Sequence, residues 1–189
     1  MLQIKRVFDV VFGLLGIVIL SPVWFLTGVF IKASVRGRVI FTQTRIGYKG
    51  QKFQILKFRT MHDEDGTDGI ARQMPRCGQV IRRLKLDELP QLINILKGEM
   101  SFVGPRPYIE RECTGLPAER YEMRPGLTGL AQVNGNAELD WEERTAYDLE
   151  YIRSFTLWKD IRIIFRTIRV IILGEQACVR HIGTKADGM

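Results

Sequence analysis

The stretch LDELPQLINILKGEMSFVGPRP, residues 86–107, sets the frame of the fold. Its apolar residues recur at the i, i+3, i+4, i+7 spacing of an amphipathic helix. These residues are Leu89, Leu92, Ile93 and Leu96. Pro90 is tolerated only in a first helical turn, so we expect the helix to begin near Asp87. Gly98 is the expected C-terminal stop, which places Asp87 at or beside the N-terminus of the helix.

Two acids, Asp87 and Glu88, lie between stretches that are rich in cations. The cations are Lys57, Arg59, Arg82, Arg83, Lys85 and Arg106. The ordinary interpretation of Asp87 is a helix cap that contributes about 1 kcal/mol. If these groups converge, they suit a diphosphate instead, because arginines and helix N-termini bind phosphoryl oxygens. Asp87, kept ionised by the helix dipole, would then be able to hold Mg²⁺ or attack phosphorus. Adjacent helical residues do not face each other, so Glu88 is expected to do a different task.

The N-terminal residues 7–31 are apolar and carry a single charge, Asp9. As a helix they would extend about 37 Å, enough to cross a hydrocarbon core of about 30 Å. A plain spanning anchor is one interpretation. Basic residues on both flanks favour another, because the positive-inside rule then places both ends in the cytoplasm. Ser21 and Pro22 predict a break near the middle, where the Ser21 hydroxyl satisfies part of the freed backbone. We therefore expect residues 1–36 to form a re-entrant membrane helix hairpin.

The remaining residues, 37–189, are predicted to form an α+β catalytic domain that is mainly helical, cytosolic and carries a small β-hairpin. Short strands are expected at residues 39–41 and 53–60, with Lys57 and Arg59 on one strand face. Helices are expected at residues 80–86, 141–155 and 161–173. The last of these carries Arg162, Arg166 and Arg169 on an otherwise apolar helix. That pattern is typical of an interfacial amphipathic helix, or of a core helix with one solvent-exposed edge.

The charge balance points to an anionic partner. The 189 residues include 28 Lys and Arg against 21 Asp and Glu, which gives a net charge of +7. Nucleic acid is not the expected partner, because we find no recognition helix, zinc finger or aromatic-basic pattern. Cys77, Cys113 and Cys178 are scattered and form no CxxC pair, so neither a disulfide framework nor a zinc site is predicted.

Three blocks together resemble the bacterial sugar transferase family. They are KFRTM (residues 57–61), the 86–107 stretch, and RPGLTGLAQVNG (residues 124–135). The members of this family are monotopic polyprenyl-phosphate phosphoglycosyl transferases, and the chain resembles their small catalytic-core form. The apolar start with Ser21-Pro22 is similar to the family's re-entrant membrane helix. The resemblance implies transfer of a phosphosugar from a UDP-sugar to polyprenyl phosphate, at the cytoplasmic face of the bacterial inner membrane.

The resemblance also implies roles for particular residues. Asp87 matches the nucleophile that takes the phosphosugar and releases UMP, and it is the matching ligand for Mg²⁺. Glu88 matches its partner acid, assigned to metal or proton handling. The residues assigned to phosphate and substrate binding are Lys57, Arg59, Arg82, Arg106 and Thr128. Ser21 and Pro22 match the break that turns the membrane helix back. The implied partners are the UDP-sugar, polyprenyl phosphate and membrane lipid.

The sequence departs from the family pattern at two places. Lys85 stands where a small hydroxyl residue is common, and the segment at residues 66–78 contains an unusual MPRCG. Neither departure removes a presumed catalytic residue. A non-catalytic, membrane-anchored scaffold or nucleotide-sugar-binding protein is the competing hypothesis. The sequence leaves open the sugar, the polyprenol length, the pathway and the oligomeric state, for which a homodimer is one alternative.

Overall fold

The computed structural model describes residues 1–35, 37–62, 74–174 and 179, and it has a mainly helical α+β fold, as predicted. The helices are α1 (Leu2–Ser34), α2 (Arg76–Arg83), α3 (Gln91–Lys97), α4 (Leu130–Val133), α5 (Trp141–Arg153) and α6 (Leu157–Leu173). The strands are β1 (Ile40–Ile46), β2 (Lys52–Phe58), β3 (Ser101–Val103) and β4 (Gly126–Thr128). Short 3-10 turns lie at Tyr48–Gly50, Leu86–Glu88, Glu110–Glu112, Ala118–Tyr121 and Asn136–Glu138. Most of the unusual 66–78 segment, together with Cys178, lies outside the described residues.

Helix α1 is long and apolar enough to cross a membrane, and it runs as one helix through Pro22. The Ser21 hydroxyl donates a hydrogen bond to the Val18 carbonyl at 2.8 Å. This carbonyl is the one that Pro22, lacking an N–H, leaves without its helical partner. The predicted compensation by Ser21 is therefore confirmed. The re-entrant path and the boundary between residues 36 and 37 stay predictions.

Both halves of α1 pack against the rest of the chain. In the first half, Gly13 lies so close to α3 that an added Cβ would stand 2.9 Å from Leu96. In the second half, Ile31 is 1% exposed and belongs to a core cluster with Phe58 and Ile81. The opposite face of α1 is apolar and exposed along its length, for example at Phe8, Leu15, Ile19, Phe25 and Phe30. One side of this helix thus contacts the domain while the other presents an apolar stripe.

Strands β1 and β2 form the predicted antiparallel hairpin, in a register that pairs Ile40 with Phe58 and Ile46 with Lys52. The first strand is longer than expected, because it continues beyond residue 41 as far as Ile46. Phe53 and Ile55 of β2 pack on Leu92 and Ile95 of α3, and this contact holds the hairpin against the helix that follows Asp87.

The second sheet joins two motif blocks that the sequence keeps apart. Strand β3 pairs in parallel with β4, Ser101 opposite Gly126 and Val103 opposite Thr128. The backbones approach so closely that a Cβ at Gly104 would lie 2.2 Å from the Arg124 carbonyl, and one at Gly126 would lie 2.1 Å from the Gly104 nitrogen. No side chain fits at either position, so the two glycines permit the pairing.

Helix α6 has one buried and one exposed face. Ile163 and Val170 enter the core cluster that also contains Tyr151 and Val103. On the other face, large apolar residues are exposed: Trp158, Ile161, Ile164, Phe165, Ile168, Ile172 and Leu173. An interfacial amphipathic helix and a core helix with one solvent-exposed edge both stay predictions.

Candidate active site

Asp87 lies in the 3-10 turn Leu86–Glu88, and the N-cap of α3 is Pro90. The expectation that Asp87 sits at the helix N-terminus is therefore corrected, because the 3-10 turn comes before the helix begins. Gly98 does end α3, with a φ of 84°. Leu86 and Leu89 pack beside Phe58 and Ile81, so the turn is fixed by apolar contacts on both sides of the acids.

The carboxyl group of Asp87 is almost completely buried. Asp87 is 7% exposed, and its Oδ1 has no hydrogen-bond partner among the described residues. Burial raises the pKa of Asp87 to about 6 and the Glu88 charge adds to this rise, while Lys57, Arg82 and Lys85 oppose it. Burial thus favours the neutral form of Asp87, whereas the helix dipole was expected to favour the ionised form. A buried carboxylate without a partner is costly in a folded protein, and such groups concentrate at functional sites.

Glu88 has a different environment from its neighbour. Its Oε1 lies 3.1 Å from the Lys57 ammonium, and both side chains are about one quarter exposed. Lys57 reaches this acid from β2, which packs against the turn. Glu88 therefore has an ion-pair partner, whereas Asp87 Oδ1 has no described hydrogen bond, and the different tasks of the two acids stay a prediction.

Arg82 and Lys85 bring two more positive charges towards Asp87. The Arg82 Nε donates to the Thr60 hydroxyl at 2.7 Å, which ties the end of α2 to the residues after β2. Gly78 makes this approach possible, because a Cβ there would stand 2.2 Å from the Thr60 carbonyl oxygen. Lys85 has a φ of 56°, a left-handed conformation that costs a non-glycine residue about 1 kcal/mol or more. That conformation leads the chain directly into the Leu86–Glu88 turn.

Arg106 belongs to a second cluster. Its guanidinium donates to Asn136 at 2.8 Å, and its carbonyl accepts a hydrogen bond from Arg120. Among the described residues, no hydrogen bond or ion pair joins Arg106 to Asp87. The described hydrogen bonds of Arg106 are therefore with Asn136 and Arg120, and its convergence with Asp87 around a substrate stays a prediction.

A buried ion pair supports the Arg106 loop. Arg120 and Asp148 are 3% and 1% exposed, and the guanidinium donates twice to one carboxylate oxygen, at 2.9 and 2.8 Å. The same guanidinium lies 4.3 Å from the centre of the Tyr108 ring. Burial raises the pKa of Asp148, and Arg120 opposes the rise. Sequence reasoning missed this pair, because 28 residues separate its members and neither lies in a recognisable motif.

Two other predicted substrate-binding residues, Arg59 and Thr128, form hydrogen bonds with residues outside the Asp87 turn. Arg59 follows the end of β2, where its Nε donates to the Arg38 carbonyl at 2.8 Å. Thr128 is buried, and its hydroxyl lies 2.7 Å from that of Thr167 in α6. In the described contacts Thr128 holds β4 against α6, so the structure gives it a packing role.

Asp87 and its neighbouring acid can bind a magnesium ion only if substrate phosphates supply further ligands. The described residues contain no group of three or more metal-ligating side chains. Mg²⁺ is commonly held by one or two carboxylates together with substrate phosphates and water. The partnerless Oδ1 of Asp87 is the donor that such an ion prefers, and the nearby cations would receive the phosphates. The residues present therefore fit the expected metal.

Comparison with known proteins gives matches over nearly the whole chain. The family model described as bacterial sugar transferase matches residues 1–174. The UDP-glucose:undecaprenyl-phosphate glucose-1-phosphate transferase of Caulobacter vibrioides is 42% identical over 92% of this chain and 71% of its own length. The exopolysaccharide production protein ExoY of Sinorhizobium fredii is 39% identical over 90% of this chain and 86% of its own length. An Aeromonas hydrophila protein named as the UDP-N-acetylgalactosamine-undecaprenyl-phosphate N-acetylgalactosaminephosphotransferase is 38% identical over 90% of this chain and 44% of its own length.

Proposed function

Because the chain belongs to the bacterial sugar transferase family and is a phosphoglycosyl transferase, we propose that Asp87 carries the transfer as a covalent nucleophile. The donor is a UDP-sugar and the acceptor is undecaprenyl phosphate, the substrates that the names of the relatives contain. The observation that carries the proposal is the buried carboxylate of Asp87 among three cations, with one oxygen free of any described hydrogen bond.

The transfer takes place in two steps. An Asp87 oxygen forms a bond to the phosphorus that bears the sugar, and the bond from that phosphorus to the bridging oxygen of the diphosphate breaks, so UMP leaves with the electron pair. A phosphate oxygen of the acceptor then attacks the same phosphorus. The bond to Asp87 breaks, which restores the carboxylate and yields the undecaprenyl diphosphosugar. With a pKa of about 6, most Asp87 is ionised at pH 7 and ready to attack.

The neighbouring cations stabilise the charge that moves between these groups. Lys57, Arg82 and Lys85 act on Asp87 electrostatically and are positioned to act on phosphoryl oxygens as well. Asp87 is the residue that would hold Mg²⁺, and the ion would neutralise charge on the donor diphosphate. Arg106, held by Arg120 and Asn136, is assigned to the substrate at the edge of the site.

We place this chemistry at the cytoplasmic face of the inner membrane, with α1 entering and leaving on that face. Support comes from two charged residues near the start of α1, Lys5 and Asp9, which are 6% and 4% exposed. Lys5 pairs with Asp160 of α6, and Asp9 accepts hydrogen bonds from the Ser101 hydroxyl at 3.0 Å and the Phe102 backbone at 3.1 Å. These contacts hold the N-terminal turns against the same domain that packs on the C-terminal half of α1 at Ile31.

A labelling experiment tests this topology. In a protein whose own cysteines are replaced by serine, Gln3→Cys and Gly37→Cys should both react with a membrane-impermeant maleimide only after the cytoplasmic side is exposed. Reaction of Gln3→Cys from the periplasmic side in intact cells would establish a spanning helix instead.

The enzymatic proposal is tested with a panel of UDP-sugars, Mg²⁺ and undecaprenyl phosphate. The wild-type protein should release UMP with at least one donor, and Asp87→Asn should not. Asp140→Asn removes a carboxylate that caps α5 and serves as the matched control that keeps UMP release. Binding of UDP-sugars without turnover across the panel would favour the non-catalytic alternative. The relatives' names mention glucose, N-acetylgalactosamine and galactose, so the panel must contain several sugars.

A further inference from the structure

A small notch lies where the start of α1 meets the RPGLTG block. The residues that line it are Leu2, Gln3, Arg6, Tyr48, Glu122, Met123 and Arg124. Two of them, Arg6 and Arg124, are close enough to repel each other electrostatically. None of them belongs to the Asp87 site or to the Arg106 cluster.

Both arginines are held in place by the C-terminal end of α3. Arg6 donates to the carbonyls of Ile95 at 2.5 Å and Leu96 at 2.7 Å. Arg124 donates from its Nε to the Gly98 carbonyl at 2.8 Å, and its guanidinium stands 5.1 Å from the centre of the Tyr48 ring. A helix C-terminus attracts cations because its last carbonyls lack helical partners. Both guanidinium groups are therefore fixed at the same end of α3 in spite of their repulsion.

Much of their hydrogen-bonding capacity is left over. A guanidinium has five N–H donors, of which these contacts use two in Arg6 and one in Arg124. In the part of the chain that the structure describes, neither arginine forms a salt bridge. Two acids lie nearby: Glu122 lines the notch and is exposed, and Asp9 attracts Arg6 electrostatically, an effect smaller than the repulsion from Arg124. Planar groups with spare donors are suited to bidentate contact with a phosphate.

The notch includes one apolar residue from the first turn of α1. Leu2 lines the notch and is 47% exposed. An anion in the notch would thus have an exposed apolar side chain next to it. A phospholipid has this combination of a phosphate and acyl chains, whereas a free phosphate ion uses only the arginines.

We infer that the notch binds the phosphate of an anionic membrane phospholipid between Arg6 and Arg124. The inference rests on the proposed location of α1 in the membrane. The lipid offsets the repulsion between the arginines and secures the start of α1 to α3, the helix that follows the Asp87 turn. It is a structural lipid, distinct from the undecaprenyl phosphate that accepts the sugar.

The test measures the melting temperature of the full chain in an uncharged detergent. Dihexanoyl phosphatidylglycerol should raise it by several degrees in a saturable way, with much smaller effects from dihexanoyl phosphatidylcholine and from inorganic phosphate at equal concentration. Equal effects of the two lipids would overturn the inference, because they would point to the acyl chains alone. An equal effect of inorganic phosphate would also overturn it, in favour of a free-anion site.

Variants locate the effect. Arg124→Gln should weaken the apparent affinity for the anionic lipid at least tenfold, while Arg111→Gln, which removes an exposed arginine outside the notch, should not. An unchanged affinity in Arg124→Gln would place the lipid elsewhere. If Arg124→Gln does not fold, the comparison of lipids on the wild-type protein decides the matter. UMP release is measured on the same samples, so a failure of lipid binding is distinguishable from a failure of the proposed transferase activity.

Discussion

The ammonium group of Lys57 lies 3.1 Å from a carboxylate oxygen of Glu88, one residue beyond Asp87. This ion pair engages one acid of the two and leaves the other, Asp87, buried with an oxygen that has no described hydrogen bond. Two adjacent carboxylates thus acquire different properties from their surroundings. The proposed mechanism depends on this difference, because a nucleophile must keep an available electron pair.

The pH dependence of the reaction should follow the ionisation of Asp87. Burial raises the pKa of Asp87 to about 6, and only the ionised form attacks. UMP release should therefore be nearly constant above pH 7 and fall about tenfold per unit below pH 6. The measurement is the rate of UMP release under limiting donor between pH 5 and 8. A rate that does not change over this range contradicts the assignment.

Substitutions of the neighbouring ion pair should move this pH profile in opposite directions. Glu88→Gln removes a negative charge that raises the pKa of Asp87, so the acid limb should shift to lower pH by roughly half a unit to one unit. Lys57→Gln removes a positive charge that lowers it, so the limb should shift to higher pH. Both shifts are read from the residual activity, whatever its absolute level. Shifts in the same direction would show that another group controls the profile.

The contact between β3 and β4 should tolerate no side chain at its glycines. Gly104→Ala places a Cβ 2.2 Å from the Arg124 carbonyl, so the strands must separate, with a loss of several kcal/mol in stability. Gly28→Ala is the control, because the nearest atoms to its Cβ lie at an ordinary 3.9 Å. Thermal unfolding in mild detergent gives the comparison. Equal melting temperatures for the two variants would contradict the close approach of the strands.

The buried ion pair of Arg120 and Asp148 should contribute far more to the free energy of unfolding than an exposed ion pair. Arg120→Met leaves the carboxylate of Asp148 buried and unpaired, which should cost about 3–5 kcal/mol. Adding Asp148→Leu should restore much of this loss. Arg153→Met breaks an exposed pair with Glu119 of similar length, 2.7 Å, and should reduce the stability far less, because solvent screens the pair. Unfolding free energies of the three variants and the wild type test the ranking, and a larger loss for Arg153→Met than for Arg120→Met would contradict it.

Local sequence patterns were sufficient for much of the fold. The apolar residues 7–31, the spacing from Leu89 to Leu96 and the stop at Gly98 each depend on neighbours within one or two helical turns. The structure accordingly places α1, α3 and the β1–β2 hairpin near their predicted positions. The compensation of Pro22 by Ser21 is equally local, since it needs only the hydroxyl and a carbonyl three residues earlier.

The composition of the site was harder to predict, because it depends on long-range packing. Arg59 and Arg106 both lie in motif blocks. Arg59 donates a hydrogen bond to Arg38 and Arg106 donates one to Asn136. No local sequence pattern predicts either contact. The burial of Asp87 was also hidden, since the sequence around it resembles an ordinary capped helix. The hydrogen bond between Lys5 and Asp160 joins residues that are 155 positions apart. The sequence indicated only that each of these charged residues lies beside an apolar run.

The most direct test of the central claim is the mass of the protein after brief incubation with a turnover-competent UDP-sugar and Mg²⁺, without acceptor, followed by rapid acid quench. The account predicts a mass increase equal to one sugar phosphate on the peptide that contains Asp87, formed together with UMP and absent in Asp87→Asn. Release of UMP at the wild-type rate by Asp87→Asn, or a sugar phosphate bound to another residue, would contradict it.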